Sequence, residues 1–231
     1  MYATLNDLKK SIFIKDKYVV LFTNLNFDTA VIGRHTIFES MFDWIDSVVE
    51  FWGKNIKNYK LVIRVHPAEK KLMTPSKDFV KEKIGTVNSD NVIIYDADKE
   101  INSYSLIEGM KLGLVYSSTI GLEIAYYKKP CIIAGDPFYR TQNLIPAPET
   151  KKEYFNSIIA NLTTDQSDYQ YQNYEKLIKY LYYFYFIKIY YFNNVRFVFN
   201  NNNPLNSVKD YNDILENNLS FFEKFYADMV K

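Results

Sequence analysis

Cysteine, glycine and proline are all scarce in this chain of 231 residues. The single cysteine, Cys131, excludes an internal disulfide framework and a cysteine-based zinc cluster. It lies in the apolar run PCIIAG, which predicts a buried side chain that behaves as a small hydrophobe. Glycine and proline occur only 7 times each, so a glycine placed at a strand-to-helix turn calls for an explanation.

Three familiar catalytic or phosphate-binding motifs are also missing. No G-x-G-x-x-G follows the first predicted strand, and no P-loop motif G-x-x-x-x-G-K-[ST] occurs anywhere. The G-x-S-x-G motif of serine hydrolases is absent as well. The only histidines are His35 and His66, which are too few for a multi-histidine metal site. We therefore expect no metal and no cofactor.

The charge balance and the apolar runs narrow the class of partner. The chain has 28 Lys and Arg residues against 27 Asp and Glu residues, so no global positive field favours nucleic acid. It opens without a secretory signal, which favours the cytoplasm. The run YLYYFYFI at 180–187 is far shorter than the roughly 20 residues that span a bilayer. A packed aromatic helix is the favoured interpretation, and contact with the inner face of the membrane is the alternative.

Apolar runs alternate with helical patterns over the first 150 residues. This alternation predicts an α/β fold, a Rossmann-like doubly wound parallel sheet with helices on both faces. The predicted strands are 18–23, 60–67, 91–97, 112–118 and 130–136. The predicted helices between them are 37–53, 75–85 (with Ser76 as its cap and Gly85 after its end), 103–111 and 119–129.

The strand pattern stops near residue 150. Helical patterns continue at 151–161, 174–192 and 207–229, separated by asparagine-rich stretches. We therefore predict two parts, a Rossmann-like domain at 1–150 and a helical extension at 151–231. The extension is rich in Tyr and Phe and is expected to pack on the first domain.

Polar residues follow the strands at the ends where a parallel sheet binds ligands. Strand one runs into TNLNFD, which contains Asp28, and the same connection continues to Arg34 and His35. Strand two ends at His66-Pro67, and strand five ends in GDP. Strand four ends in the segment YSSTIGLE, where Ser117, Ser118 and Thr119 stand together. These positions are expected to converge at one edge of the sheet.

The hydroxyl-rich turn has two interpretations. Backbone N–H groups at the start of a helix can bind an anion, with Ser117, Ser118 and Thr119 adding donors and Gly121 allowing close approach. Glu123 would then accept hydrogen bonds from ribose hydroxyls. Alternatively, the hydroxyls only cap a helix and Glu123 only favours the helix dipole.

His66 has the same two interpretations. Its imidazole can donate to a phosphate and, if protonated, neutralise charge on a departing nucleotide. Alternatively, it closes a strand and bonds a nearby carbonyl. The shared position of these residues at one sheet edge favours a site.

The paired segments LVIRVHPAE and VYSSTIGLEIAYYKKPCIIAGDPFY resemble bacterial capsule polysaccharide biosynthesis proteins. That group includes Kdo transferases and, more distantly, bacterial sialyltransferases, which share an HP motif and a later serine motif in a GT-B fold. The resemblance covers residues 18–140 and is strongest at 115–139. It implies that the chain is the C-terminal, donor-binding half of a GT-B glycosyltransferase in surface polysaccharide synthesis.

Specific roles follow from this resemblance. It implies that His66 contacts the donor phosphate and assists the leaving nucleotide, that Ser117 and Ser118 hold the same phosphate, and that Glu123 binds ribose. It favours a CMP-linked sugar as the donor. The relatives take their general base from an N-terminal domain for which this chain has no counterpart, so Asp28 and His35 are the only candidates to test.

The resemblance also sets the expected partners. These are a nucleotide-sugar donor, a glycan or glycolipid acceptor, and an N-terminal domain or partner chain. An exposed aromatic surface would favour a homodimer or peripheral membrane contact. Two rival functions stay open, a non-catalytic nucleotide-binding or scaffold subunit and a UDP-sugar epimerase-like protein.

Overall fold

Five parallel strands form the sheet in the computed structural model, which describes residues 17–71, 79–84, 90–99, 101–164 and 173–187. The strands are β1 (Tyr18–Phe22), β2 (Lys60–Arg64), β3 (Val92–Tyr95), β4 (Leu112–Val115) and β5 (Cys131–Ile133). Their order across the sheet is β3-β2-β1-β4-β5, and every neighbouring pair is parallel. The predicted Rossmann-like α/β sheet is therefore confirmed.

The strand order places β1 at the centre of the sheet. Val20 of β1 pairs with Val62 of β2 on one side and with Gly113 of β4 on the other. The chain moves outward from β1 through β2 to β3 and then returns to the other side of β1 at β4. The gap between β1 and β4 is therefore the topological switch point, where open α/β sheets bind ligands beyond the carboxyl ends of their strands.

Helices connect the strands and follow the sheet. They are α1 (Met41–Asn55), α2 (Val80–Ile84), α3 (Ser103–Gly109), α4 (Ile120–Tyr126), α5 (Lys151–Thr163) and α6 (Tyr174–Tyr182). A π-helical turn, Tyr183–Ile187, follows α6. The predicted cap at Ser76, the predicted end at Gly85 and the predicted helix 207–229 lie outside the described residues.

The first helix begins later than its apolar pattern predicts. The pattern starts at Ile37, but α1 begins at Met41 because the Ser40 hydroxyl accepts a hydrogen bond from the backbone N of Asp43 at 3.0 Å. This is an N-cap, which satisfies one of the free amide groups in the first turn. Gly53 does not end the helix, which continues to Asn55.

The helix after β4 ends earlier than predicted. The pattern extends to Lys129, but α4 stops at Tyr126, and Lys128 adopts a left-handed φ of 55°. The backbone N of Lys128 donates to Ala125 O at 2.9 Å, and that of Lys129 donates to Ile124 O at 3.1 Å. These bonds close the last turn of the helix, in the way left-handed residues commonly end helices.

The two faces of the sheet carry different helices. Alternate strand residues such as Val19 and Leu21 share one buried cluster with Trp44 and Trp52 of α1 and Tyr154 of α5. On the other face, a Cβ added to Gly113 would lie 2.8 Å from Ile124 of α4 and 3.0 Å from Met110 after α3. Since neighbouring strand residues point to opposite faces, helices cover both sides of the sheet. The fold is thus doubly wound.

Cys131 is buried, as predicted, and burial raises the pKa of its thiol.

Contacts divide the chain into two compact units, Met1–Ile178 and Lys179–Lys231. In the second unit the Tyr180 and Phe184 rings stack, with centroids 6.2 Å apart. None of the helices within the described residues is long and apolar enough to cross a membrane.

Candidate functional site

The carboxyl ends of β1, β2, β4 and β5 carry the polar residues of the candidate site. We call this end of the sheet the carboxyl edge, and we call residues 23–36, which follow β1, the first loop. The edge begins at Thr23 and Asn24 after β1, His66 after β2, and Ser117 after β4. Thr23, Asn24 and Ser117 are buried although polar, and each is hydrogen bonded. Buried, hydrogen-bonded polar side chains therefore hold this edge in place.

The first loop is fastened to the end of β4. The Ser117 hydroxyl donates to the carbonyl oxygen of Ala30, and the Ser117 backbone N donates to the Asn24 side-chain oxygen at 3.4 Å. Both bonds cross the switch point between β1 and β4. They make the loop after β1 one wall of the candidate site.

The same loop also reaches the end of β5. The backbone N of Asp136 donates to Arg34 O at 2.9 Å, and the Thr36 hydroxyl donates to Ala134 O at 2.7 Å. Arg34 and Asp136 form an ion pair at 3.5 Å, with both side chains more than 40% exposed. A pair this exposed is weak, so Arg34 can exchange it for an anionic ligand at small cost.

The three hydroxyls of the turn after β4 differ in their environments. Ser117 is 5% exposed, and Ala30 O takes its hydroxyl proton. The Ser118 oxygen accepts from the backbone N of Ile120 at 3.3 Å, which leaves its proton without a partner in the described part of the chain. Thr119 is exposed and makes no capping bond. Ser118 and Thr119 are therefore the hydroxyls of this turn that can donate to a ligand.

Gly121 makes room for a tyrosine. A Cβ at this position would lie 2.3 Å from the Tyr139 hydroxyl oxygen, and that hydroxyl donates to Ser118 O at 2.6 Å. The close approach that the glycine allows is thus made by Tyr139, which holds the turn in place. Glu123 is partly buried in the first turn of α4. Because α4 has only seven residues, its dipole is a minor contribution and the side chains carry the chemistry.

His66 lies just beyond β2, on the other side of β1 from residues 117–119, which we call the serine turn. Its backbone N donates to the Thr23 hydroxyl oxygen at 3.0 Å. Its ring Nδ1 lies 3.2 Å from the backbone N of Ala68, which can only donate, so Nδ1 is the acceptor. A neutral imidazole with an acceptor at Nδ1 carries its proton on Nε2. His66 is therefore a hydrogen-bond donor through Nε2.

Burial and the charges around His66 act on its protonation in different directions, and burial is the largest effect. Burial lowers the pKa of the imidazole; the carboxylate of Asp28 acts in the opposite direction, and the guanidinium of Arg64 reinforces burial. Asp28, in the first loop, uses Oδ1 to accept from the backbone N of Ala30 at 3.0 Å. Asp28 and His66 are thus electrostatic neighbours that share no hydrogen bond among the contacts of the described residues.

Arg64, two residues before His66, holds the connection after β3. It is 3% exposed, and its guanidinium donates to Asp96 O at 3.0 Å and Ile101 O at 3.2 Å, both in the connection after β3. Burial lowers its pKa, and the carboxylate of Asp96 acts in the opposite direction. Its charge serves this connection and is not available to a ligand.

His35 has a partner from the core. Its Nδ1 lies 2.7 Å from the hydroxyl oxygen of Tyr116, whose ring is buried against Trp44 with centroids 5.4 Å apart. The imidazole itself is exposed. Burial raises the pKa of Tyr116, so its hydroxyl stays protonated. Its bond to His35 holds the end of the first loop.

Several residues that build the edge had no predicted role. Thr23 and Asn24 stand in the TNLNFD segment, but nothing in their local pattern shows that they bond to residues 43 and 93 positions away. Tyr116 and Tyr139 look like ordinary core aromatics in the sequence. Their hydroxyl groups are the feature that could indicate these roles, because a buried tyrosine hydroxyl needs a hydrogen-bond partner.

A family model described as "Capsule polysaccharide biosynthesis protein" matches residues 3–183. No curated protein matches the sequence. Metal-ligating side chains do not form a group of three or more within the described ranges.

Solved structures with a similar fold include two transferases and an epimerase. Thermosulfurimonas dismutans KpsC, beta Kdo 2,4 transferase, is 15% identical at a TM-score of 0.43, over 62% of this chain and 40% of that one. The beta Kdo 2,7 transferase of KpsC is 21% identical at 0.40, over 59% and 41%. UDP-GlcNAc 2-epimerase from Neisseria meningitidis is 19% identical at 0.46, over 71% and 40%. This chain thus spans about two fifths of the length of each, and likeness of this extent carries no argument about activity.

Proposed function

The chain belongs to the capsule polysaccharide biosynthesis protein family, and from that premise we propose that it is the donor-binding part of a glycosyltransferase that uses a nucleotide-activated sugar. The carrying observation is the arrangement of donors at the carboxyl edge. His66 after β2 and Ser118 after β4 flank β1, the central strand. Neighbouring strands lie about 4.8 Å apart, so donors on both sides of β1 can reach one phosphate group.

The expected ligand contacts follow from these free donors. His66 Nε2–H donates to a phosphate oxygen from one side, and the Ser118 and Thr119 hydroxyls donate from the other. Arg34 can add positive charge, because its guanidinium lies 3.5 Å from Asp136 at the end of β5. Ser117 supports the turn from below, and Glu123 is the candidate for the ribose hydroxyls.

We propose CMP as the nucleotide of the donor sugar. The support is the pairing of HP with a serine pair, which the chain shares with the CMP-using glycosyltransferases it resembles. A neutral His66 that donates one hydrogen bond can bind the single phosphate of a CMP-sugar, which carries less charge than a diphosphate.

A panel of CMP, CDP, UDP and GDP tests this proposal by thermal unfolding. A ligand that binds only the folded chain at one hundred times its Kd adds about 2.7 kcal/mol to the free energy of unfolding. We expect CMP to raise the melting temperature most. If none of the four nucleotides changes it at millimolar concentration, the donor-site proposal is wrong. If UDP alone does, the epimerase-like alternative takes its place.

We assign the candidate general bases by their position at the carboxyl edge. Burial lowers the pKa of His66 and the charge of the Asp28 carboxylate raises it, which places Asp28 in its neighbourhood, and His35 is exposed at the end of the first loop. Either group can accept a proton from a glycan or glycolipid hydroxyl. Asp28→Asn and His35→Gln are expected to retain nucleotide affinity, and loss of transfer in one of them identifies the base.

A non-catalytic subunit is the second candidate, because both candidate bases already have partners: Asp28 Oδ1 accepts from the Ala30 amide, and His35 Nδ1 lies 2.7 Å from the Tyr116 hydroxyl oxygen. Under that function CMP binds, but CMP-sugar is neither transferred nor hydrolysed. Transfer activity after addition of a separate acceptor-binding chain would support the transferase. Binding without turnover in every such mixture would support the subunit.

A further inference from the structure

Two hydrogen bonds hold His66, one at its backbone and one at its ring. Its backbone N donates to the Thr23 hydroxyl oxygen at 3.0 Å, and its ring Nδ1 accepts from the backbone N of Ala68 at 3.2 Å. One bond fixes the main chain and the other fixes the ring. Together they determine which polar atom of the imidazole is left for a ligand.

The Thr23 bond replaces a bond of the sheet ladder. The backbone N of Thr23 still donates to Arg64 O at 3.1 Å, and beyond this point β1 and β2 separate. A backbone N–H that leaves a ladder inside the protein needs another acceptor. The Thr23 side chain, only 3% exposed, supplies it to His66.

The Ala68 bond depends on the HP dipeptide. Pro67 has no N–H, and its ring fixes φ near −65°, so the first amide available after His66 is that of Ala68. This amide turns back toward the ring of His66. A second proton on Nδ1 would face another donor, so the arrangement disfavours the imidazolium.

We propose that Thr23 is a positioning residue which, with the Ala68 amide, presents His66 as a neutral imidazole with its single proton on Nε2, aimed at the donor phosphate. The identity of the phosphate ligand rests on the proposed function. The tautomer and its two anchors are properties of the ligand-free chain.

The two charged groups around His66 act in opposite directions, and burial, the largest effect, favours the neutral form. Asp28 of the first loop favours the imidazolium, whereas Arg64 of β2 and burial oppose it. The guanidinium of Arg64 is held by two carbonyl oxygens, and the Asp28 carboxylate by the loop amide of Ala30. The neutral state of His66 therefore does not depend on a mobile charge.

Nitrogen NMR on the whole chain, labelled at histidine, tests the tautomer directly. The chain has only two histidines, so a spectrum of His35→Gln assigns both. We expect His66 at neutral pH to show a protonated Nε2 and an unprotonated Nδ1. A proton on Nδ1 would overturn the proposal, whether or not a nucleotide binds.

The pair Thr23→Val and Thr23→Ser tests the positioning role. Valine keeps the shape of threonine and removes the hydroxyl, whereas serine keeps the hydroxyl. We expect Thr23→Val to speed hydrogen exchange of the His66 amide and to weaken CMP binding, each by about tenfold, the size of one hydrogen bond. Thr23→Ser should keep the exchange rate of the His66 amide and the affinity for CMP close to those of the wild-type chain.

Two controls separate the possible failures. Tryptophan fluorescence reports whether Thr23→Val is folded, and the tautomer of the wild-type chain needs no variant. A folded Thr23→Val chain with unchanged exchange at His66 would overturn the positioning role. If the exchange and tautomer results hold but CMP does not bind the wild-type chain, the positioning role stands and the proposed donor function is wrong.

Discussion

Single hydroxyl groups have different partners at the turn after β4, although they are neighbours in the sequence. Ser117 is buried and donates to Ala30 O, whereas Ser118 keeps its proton available and Thr119 is exposed. A buried hydroxyl with a protein partner contributes to stability, and one with a free proton contributes to binding. The two effects can be measured separately in this pair of serines.

Alanine at each serine should therefore give opposite results. Ser117→Ala leaves Ala30 O without its donor, and we expect a loss of about 1–2 kcal/mol in the free energy of unfolding. Ser118→Ala loses only the 3.3 Å bond from the Ile120 amide, so it should cost less stability, and it should weaken CMP binding by about tenfold or more, the size of one hydrogen bond to a charged group. Urea unfolding and calorimetric titration measure these effects. Equal losses of affinity in two equally stable variants would contradict this division.

The pKa of His66 makes a prediction about stability. Burial lowers it below the ordinary value of 6.5, so the unfolded chain binds more protons than the folded chain between the two values. Stability from this group is complete above the ordinary pKa and is lost as the pH falls through the folded pKa. His66→Asn keeps an acceptor near the Nδ1 position and does not titrate.

The wild-type chain should therefore lose more stability than His66→Asn when the pH is lowered from about 7.5 to about 5. Urea unfolding at a series of pH values measures the difference. Parallel curves for the two chains would show that His66 titrates alike in the folded and unfolded states.

The packing of α4 on the β5 loop depends on a missing side chain. Gly121 lies in the first turn of the helix, and the Tyr139 hydroxyl occupies the space that a Cβ would fill. That hydroxyl donates to Ser118 O and so connects the β5 loop with the serine turn. The position of α4 relative to the site is thus set by Tyr139, which follows β5.

Gly121→Ala should destabilise the chain by roughly 1–3 kcal/mol, the usual cost of overpacking. Tyr139→Phe removes the clashing oxygen and one hydrogen bond, and alone it should cost about 1 kcal/mol. The double variant should be more stable than the sum of the two losses predicts, because the clash has gone. Thermal unfolding of all four chains gives the coupling free energy. A sum that is simply additive would mean that the helix moves away instead.

The whole molecule places its only two tryptophans in one helix. Trp44 and Trp52 of α1 are fully buried against the sheet whose edge carries the candidate site. The unit at Lys179–Lys231 contains no tryptophan. Tryptophan fluorescence therefore follows the unfolding of the first unit only.

CMP should raise the midpoint of the tryptophan transition, since the proposed site belongs to the same unit. For a chain of this size, about 1 kcal/mol shifts the melting temperature by about 2–4 °C. Fluorescence and circular dichroism, recorded together with and without CMP, measure this shift. A ligand effect that appears in circular dichroism but leaves the fluorescence midpoint unchanged would place the site outside the first unit.

Much of the fold could be predicted because its signals are local. The five strands are apolar runs, and the apolar positions in residues 37–53 repeat at helical spacing. Helix boundaries are less predictable. The start of α1 is set by one hydrogen bond to the Ser40 hydroxyl, and the end of α4 by the left-handed backbone of Lys128. These details depend on individual bonds more than on periodicity.

The sequence by itself determined that His66 and the serine turn follow strands of a parallel sheet, because strand, helix and turn patterns act over a few residues. Only the tertiary structure decided that β2 and β4 both flank β1, and that Ser117 supports the turn while the Ser118 proton has no partner among the described residues. The bonds responsible join residues 43 to 102 positions apart. No local pattern encodes such pairs, because they form only when the whole core packs.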